Sequence, residues 1–125
     1  MKPVSLTIEA IEILKFNIPL VEPFVISNDS IAVADNILVR IITDSGLEGQ
    51  GECSPFPTIL GETQDSCFAV GQKIAARLIG ENALAMEHCH HLISSTVAEN
   101  YCIKSAFDLA LWDLAGKHAE LPVYA

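Results

Sequence analysis

The sequence predicts an α+β fold: a three-stranded antiparallel meander, followed by a bundle of three helices or slightly more packed on it. Three observations carry this. Apolar residues alternate with a period of two over much of the chain up to Ser54. After Thr58 the period lengthens to that of a helix, and Asp44-Ser45-Gly46 stands as a short turn between two β-branched runs.

Element by element, Ser5 to Phe16 carries apolar side chains at Leu6, Ile8, Ala10, Ile11, Ile13 and Leu14. The pattern reads as a long strand with one phase slip near Ala10 or Ile13, as a bulge would produce. Pro19 and Pro23 cannot donate to a ladder and push the residues before them into extended conformations, so Asn17 to Ala34 reads as a loop. Asn36 to Thr43 (NILVRIIT) forms a second strand, and Glu48 to Ser54 pairs back on it. Gly46 between them is free to take the positive φ that a tight hairpin turn demands.

Thr63 is placed to cap a helix with Asp65 in its first turn, and Cys67, Val70, Gly71, Ile74, Ala75 and Leu78 form its stripe. Gly80 lies just past its end. A second helix spans Leu84 to Ser94, with Met86, Cys89 or His90, and Ile93 turned inward. The third runs from Asn100 to His118, with Ile103, Ala106, Phe107, Ala110, Leu111, Leu114 and Ala115 on one face. It also carries Leu109 and Trp112 off that stripe, which is more apolar surface than a one-sided helix requires. A further covering partner is expected.

At 125 residues the chain suits one domain. Sixteen acids against seven Lys and Arg give a net charge of −9, which repels phosphate backbones and anionic lipid, and no cationic cluster offsets it locally. Nucleic acid and membrane are excluded as partners on that ground. The opening MKPVSLTIEAIEIL reads as a strand and not as a secretory signal, so a cytoplasmic location is expected.

The chemistry-bearing residues carry no catalytic constellation. Cys53, Cys67, Cys89 and Cys102 follow at intervals of 14, 22 and 13, the spacing of neither a zinc ribbon nor a compact disulfide scaffold, and read as buried thiols. His88 and His91 share a helix face, but no third ligand stands at a spacing that completes a zinc shell, so a solvated face is favoured. Gly46, Gly49 and Gly51 precede a strand end and not a helix start, and so serve the hairpin and close packing instead of a phosphate. Asn28-Asp29-Ser30 matches a glycosylation acceptor that a chain without a secretory signal does not use. Cys53 has no neighbouring base, and Glu52 beside it disfavours a thiolate and points to the opposite face, so both read as structural. Asp108 and Asp113 diverge by about 140° around their helix and cannot chelate together. Trp112 reads as packing, and Lys117 complements the helix dipole.

Three blocks in this order carry a resemblance: Pro23-Phe24 at the end of the first strand, LVRIITDSGLEGQGECSPFPTILGET, and SAFDLALWDLAGKHAELPVYA. Together they resemble the N-terminal capping domain of the enolase superfamily, in the muconate-lactonising branch and most closely the dipeptide epimerases. The likeness spans nearly the whole chain. It implies one capping domain over residues 1–125, with a modified TIM barrel beyond Ala125 as the domain's partner and the cover for the third helix.

In that family the barrel binds Mg²⁺ through carboxylates at its strand ends. One lysine removes the proton α to a carboxylate, the metal stabilises the enediolate, and a second lysine returns a proton on the opposite face. The resemblance therefore assigns neither catalytic nor metal-binding residues to this chain, and the fragment alone is expected to be inactive. What it does assign is a lid that closes over the barrel mouth and meets the variable part of the substrate. The matching loops are Phe24 to Ile31 and Ser54 to Leu60, with Phe24, Ile26, Ser27, Asp29, Phe56 and Ile59 as substrate-binding candidates.

Relatives that act on acidic dipeptides are similar to one another in carrying a basic residue in the first loop. This chain has no Lys or Arg between Lys15 and Arg40, but Glu22 and Asp29 instead. A buried anionic side chain without a counter-charge is costly, so neutral or apolar dipeptides are expected. The resemblance also implies a homo-oligomer. Two rival readings stay open: the cap of a muconate cycloisomerase or o-succinylbenzoate synthase, and a free-standing α+β binding module.

Overall fold

The computed structural model describes residues 4–27 and 29–125. Met1, Lys2, Pro3 and Asn28 lie outside the described residues, and with them the head of the MKPVSLTIEAIEIL opening and the glycosylation motif's asparagine. Strands β1 (Ile8–Ile26), β2 (Asp29–Thr43) and β3 (Glu48–Cys53) form one antiparallel sheet in the order β1-β2-β3. Helices α1 (Pro57–Leu60), α2 (Gln64–Leu78), α3 (Met86–Thr96) and α4 (Tyr101–Ala119) follow. The α+β meander and its three long helices stand as the sequence predicts; α1, a single turn inside the expected lid loop, is an addition. Among the described residues no helix is long and apolar enough to cross a membrane.

The phase slip in the first strand is a register shift between Ile8 and Ala10. Ile8 and Ile13 are five residues apart, which in an unbroken strand would turn them to opposite faces. The bulge lets both enter the core.

The expected loop from Asn17 to Ala34 is instead strand. β1 and β2 continue as a two-stranded arm through the pairs Ile18↔Ala34, Pro19↔Val33, Phe24↔Ile31 and Ile26↔Asp29, with an irregularity between Pro19 and Phe24. The strand accommodates its prolines because β1 is an edge strand, where a missing N–H on the outer side breaks no ladder bond. Nor could a burial period reveal this arm, since it leaves the body of the domain with Val21, Phe24 and Val25 exposed.

In the body, Ile37, Val39 and Ile41 of β2 alternate onto the helix-covered face. On the opposite face Arg40 bridges Glu12 of β1 and Glu48 of β3. α4 lies on β3 at close range, because Gly49 and Gly51 leave room for its backbone. A Cβ on Gly51 would sit 1.8 Å from the Ala106 carbonyl oxygen, and one on Gly49 2.2 Å from that of Ala110. Small residues on both elements thus set the contact. Ile103, Phe107, Leu111 and Leu114 then fill the core, each fully buried apolar side chain worth about 1.5–3 kcal/mol. At the far end of the helix, Lys117 donates to the Glu48 carbonyl and pairs with Asp113, which itself accepts from the Gln50 backbone.

Helix ends follow local chemistry. Thr63 accepts from Ser66 N while Ser66 Oγ accepts from Thr63 N, a capping box before α2. Gly80 after α2 takes φ +87°. Arg77 ties α2 to the end of α3, donating to the Leu92 carbonyl, Ser95 and Thr96. α4 has no cap from Asn100, its own neighbour; Glu62, buried and forty positions earlier, accepts from Cys102 N at 3.0 Å. A carboxylate there satisfies an orphan donor and faces the positive end of the helix dipole.

Candidate functional site

The arm formed by the end of β1 and the start of β2 faces the segment after β3, and a groove of about 830 Å³ opens between them. Leu20, Phe24, Asp29 and Ile31 line it from the arm; Pro55, Phe56 and Pro57 line it from the other side. Two contacts hold the sides together. Phe24 meets the ring of Phe56 edge-on, centroids 6.0 Å apart at 84°, and Thr58 Oγ1 donates to Asp29 Oδ2 at 3.2 Å.

The second side is stiff for identifiable reasons. Pro57 opens α1 with its φ already helical, and Gly61 closes it at φ +73° while donating to the Pro57 carbonyl. Gln64 closes the inner end of the groove and reaches across to β2 through the Asn36 carbonyl at 3.0 Å.

Of the six candidate residues, Phe24, Asp29 and Phe56 are brought together at this groove. Ile26 pairs with Asp29 at the arm's tip, Ser27 lies in the turn, and Ile59 projects from α1 into solvent; none of these three lines the groove. Leu20, Thr58 and Gln64 belong to the site and were not singled out. The first two sat in segments with no burial period, and Gln64 is just a polar residue at a helix start.

Among cations, Lys15 is the nearest to the arm in sequence, and it is engaged by Asp65 and by the ring of Phe68. The groove's own acids are Asp29, Asp35 and Asp65. Glu52 stands on the exposed side of β3 and accepts from Asn36 Nδ2 at 2.6 Å, the contact of a structural carboxylate. His88 pairs with Glu81 and His90 with Asp108, and among the described residues no convergent group of three potential metal ligands includes a histidine.

Magnesium, the metal of the resembling family, requires several hard oxygen donors near octahedral geometry. Among the described residues the one convergent group of three potential ligands is Cys53, Cys67 and Cys102, all sulfur. Mg²⁺ does not fit that donor set. The convergence itself was invisible in the cysteine spacing, because the three thiols come from β3, α2 and α4 and meet only when the helices pack on the sheet.

Comparison with known proteins matches this arrangement. Residues 8–125 match the family described as mandelate racemase / muconate lactonizing enzyme, N-terminal domain. A D-Ala-D/L-Ala epimerase from Cytophaga hutchinsonii is 48% identical over 118 residues, covering 94% of this chain and 32% of the relative. The crystal structure of a dipeptide epimerase from that organism, complexed with Mg and the dipeptide D-Ala-L-Val, superposes with a TM-score of 0.90 at 46% identity, over 97% of this chain and 32% of the other. A dipeptide epimerase from Enterococcus faecalis V583, complexed with Mg and L-Leu-L-Tyr, gives a TM-score of 0.90 at 31% identity, over 97% and 34%. This chain thus spans about a third of the length of these relatives. With the whole sheet and all four helices inside the matched segment, the chain belongs to the mandelate racemase / muconate lactonizing enzyme family, as an N-terminal domain of the enolase superfamily.

Proposed function

We propose that this chain is the capping, specificity-determining domain of a Mg²⁺-dependent dipeptide epimerase that moves a proton at the carbon α to a carboxylate in neutral or apolar dipeptides. The observation that carries the reading is the Phe24–Phe56 contact roofing a groove with acids but no basic residue in its lining. Such a roof offers apolar surface to an uncharged side chain and no partner to an anionic one. Phe24, Phe56 and Asp29 are proposed to face the substrate's variable part. Ile26, Ser27 and Ile59, outside the groove in the domain by itself, are proposed to reach it from the rim. Support also comes from the dipeptides bound by the two similar solved enzymes, D-Ala-L-Val and L-Leu-L-Tyr.

In this reading residues 1–125 are one cap, and its partner is a barrel in the same protein that supplies the metal ligands and the acid and base. The cap's residues bind, orient and exclude water, and the cap alone is inactive. Leu109 and Trp112, exposed on α4, and the exposed Leu121 and Val123 after it are proposed to face that barrel. A homo-oligomer in the cytoplasm completes the proposal.

The test is to incubate the full-length protein with Mg²⁺ and a panel of L-Ala-L-Xaa dipeptides in deuterated water and to follow the mass of each. A one-unit gain on dipeptides with apolar or neutral second residues, weak or absent with Glu and Asp, is expected. No α-proton exchange on any dipeptide overturns it, and turnover of muconate or of an o-succinylbenzoate precursor would transfer the cap to those reactions.

A further inference from the structure

Three cysteines from distant parts of the chain meet beneath the lid. Cys53 ends β3, Cys67 lies in the first turns of α2, Cys102 lies in the first turn of α4, and their Sγ atoms all fall within 4.8 Å of one another. Cys53 and Cys67 are buried and Cys102 is half-buried, so the cluster is enclosed yet reachable from one side. Glu62 stands beside it, its Oε1 3.6 Å from Cys67 Sγ.

We propose that Cys53, Cys67 and Cys102 form a binding site for a thiophilic divalent cation of the zinc class, with Glu62 as the fourth donor. Four donors of this kind around one ion make a closed structural site. With Zn–S bonds of about 2.3 Å, tetrahedral geometry separates sulfurs by about 3.8 Å, and a Zn–O bond of about 2.1 Å puts sulfur and oxygen about 3.6 Å apart. The Glu62–Cys67 distance already has that value. The thiols must close by about 1 Å at most, within reach of small side-chain rotations, and the carboxylate must swing from Cys67 toward the other two sulfurs.

Donor chemistry and charge agree on the ion. Thiolates select soft or borderline metals over Mg²⁺ and Ca²⁺. Binding follows M²⁺ + 3 RSH + R′COO⁻ → [M(SR)₃(O₂CR′)]²⁻ + 3 H⁺, with Glu62 as the carboxylate, the three protons leaving to solvent and no change in oxidation state. A monovalent ion in the same shell would leave one more negative charge in the core, so a divalent ion is favoured. In the metal-free cluster the neighbouring Cys67 thiol, with burial, pushes Cys53 up, Cys53 in turn pulls Cys67 down, and burial pushes Cys102 up to about 11. Glu62 is held from behind by the backbone N–H groups of Cys102 and Ile103, the outer support a ligating carboxylate needs.

The ligands also bracket the lid. Cys53 immediately precedes residues 54–61, and Glu62 and Cys67 follow them, so one ion would pin both ends of that segment to the start of α4. This consequence for the lid rests on the proposed function; the metal site does not.

The experiment uses the full-length protein, reduced and stripped with chelator, then titrated with Zn²⁺ and with Cd²⁺ as a spectroscopic stand-in. One equivalent of Cd²⁺ per chain should give an ultraviolet thiolate-to-metal charge-transfer band, and Zn²⁺ should displace it with release of protons. Mg²⁺ bound by oxygen ligands cannot produce that band, so failure here is distinguishable from failure of the epimerase reading. Cys102→Ser, the least buried ligand change, should weaken Cd²⁺ by about 100-fold or more. Cys89→Ser, outside the cluster, should leave it unaltered. The absence of a charge-transfer band in the unmutated protein overturns the site, as does a band that survives in Cys102→Ser and disappears in Cys89→Ser.

Discussion

Phe24 and Phe56 each present an aromatic edge or face to the other across a groove otherwise walled by arm and loop. An aromatic pair of this kind contributes about 0.5–1.5 kcal/mol beyond its buried area. On the proposed dipeptide epimerase function, Phe24→Ala should lower kcat/KM of the full-length protein on apolar dipeptides by about threefold to tenfold, chiefly through KM, while solvent exchange at the α-carbon persists. Equal loss in kcat alone would speak against a lid role. Asp29→Arg removes the acceptor for Thr58 and places a cation in the arm. Its expected signature is a shift of preference toward dipeptides with an acidic second residue, read from relative kcat/KM across the panel. Gly51 is a different kind of position. A methyl group there would meet the Ala106 carbonyl at 1.8 Å and Ala110 N at 2.8 Å, both backbone atoms that cannot step aside. Gly51→Ala should cost at least about 3 kcal/mol in denaturant unfolding or prevent folding, since overpacking against backbone exceeds the usual side-chain strain.

Among the elements, α4 is the one whose start depends on a distant residue. Neither Glu99 nor Asn100, both at positive φ, supplies a side-chain cap, and Glu62 accepts from the first turn instead. A charged acceptor at a helix start contributes about 1–3 kcal/mol. Glu62→Gln, measured by urea unfolding, should lose about 1 kcal/mol, and Glu62→Ala about 2–3, because alanine leaves buried donors unmet. By comparison Thr63→Ala removes a solvent-exposed cap of α2 and should cost about 1 kcal/mol. The ordering Glu62→Ala above Thr63→Ala is the informative outcome. The reverse would mean that α4 finds water or another acceptor at its start.

The whole domain is asymmetric. Its core lies between the sheet and the inner faces of α2 and α4, whereas the outer side of α4 leaves Leu109 52% and Trp112 44% exposed, continuous with an exposed C-terminal segment. That segment is folded back so that Val123 packs near Gly116. An apolar face of this kind in isolation binds hydrophobic dyes or self-associates. Residues 1–125 expressed alone should do so, and adding the proposed barrel in trans should suppress it. A dye-negative monomer at high concentration would indicate that the face needs no partner.

Much of this was legible in the residues themselves. The meander, the turn at Gly46, the capped start of α2 and the inner stripe of α4 are local or periodic features, and backbone geometry converts them directly into structure. Even the bulge in β1 was visible, as an apolar alternation that changes phase between Ile8 and Ile13. The surplus apolar character of Leu109 and Trp112 also announced a face that this chain does not cover. Three features waited for the tertiary structure. The arm was hidden because its strands bury little and an edge strand tolerates Pro19. Glu62 as the cap of α4 acts across 40 residues of chain, and the meeting of Cys53, Cys67 and Cys102 joins three separate elements, β3, α2 and α4; periodicity carries no information on either. Local chemistry thus determined which elements form and which faces they bury, while packing alone decided which polar groups from separate elements would face one another.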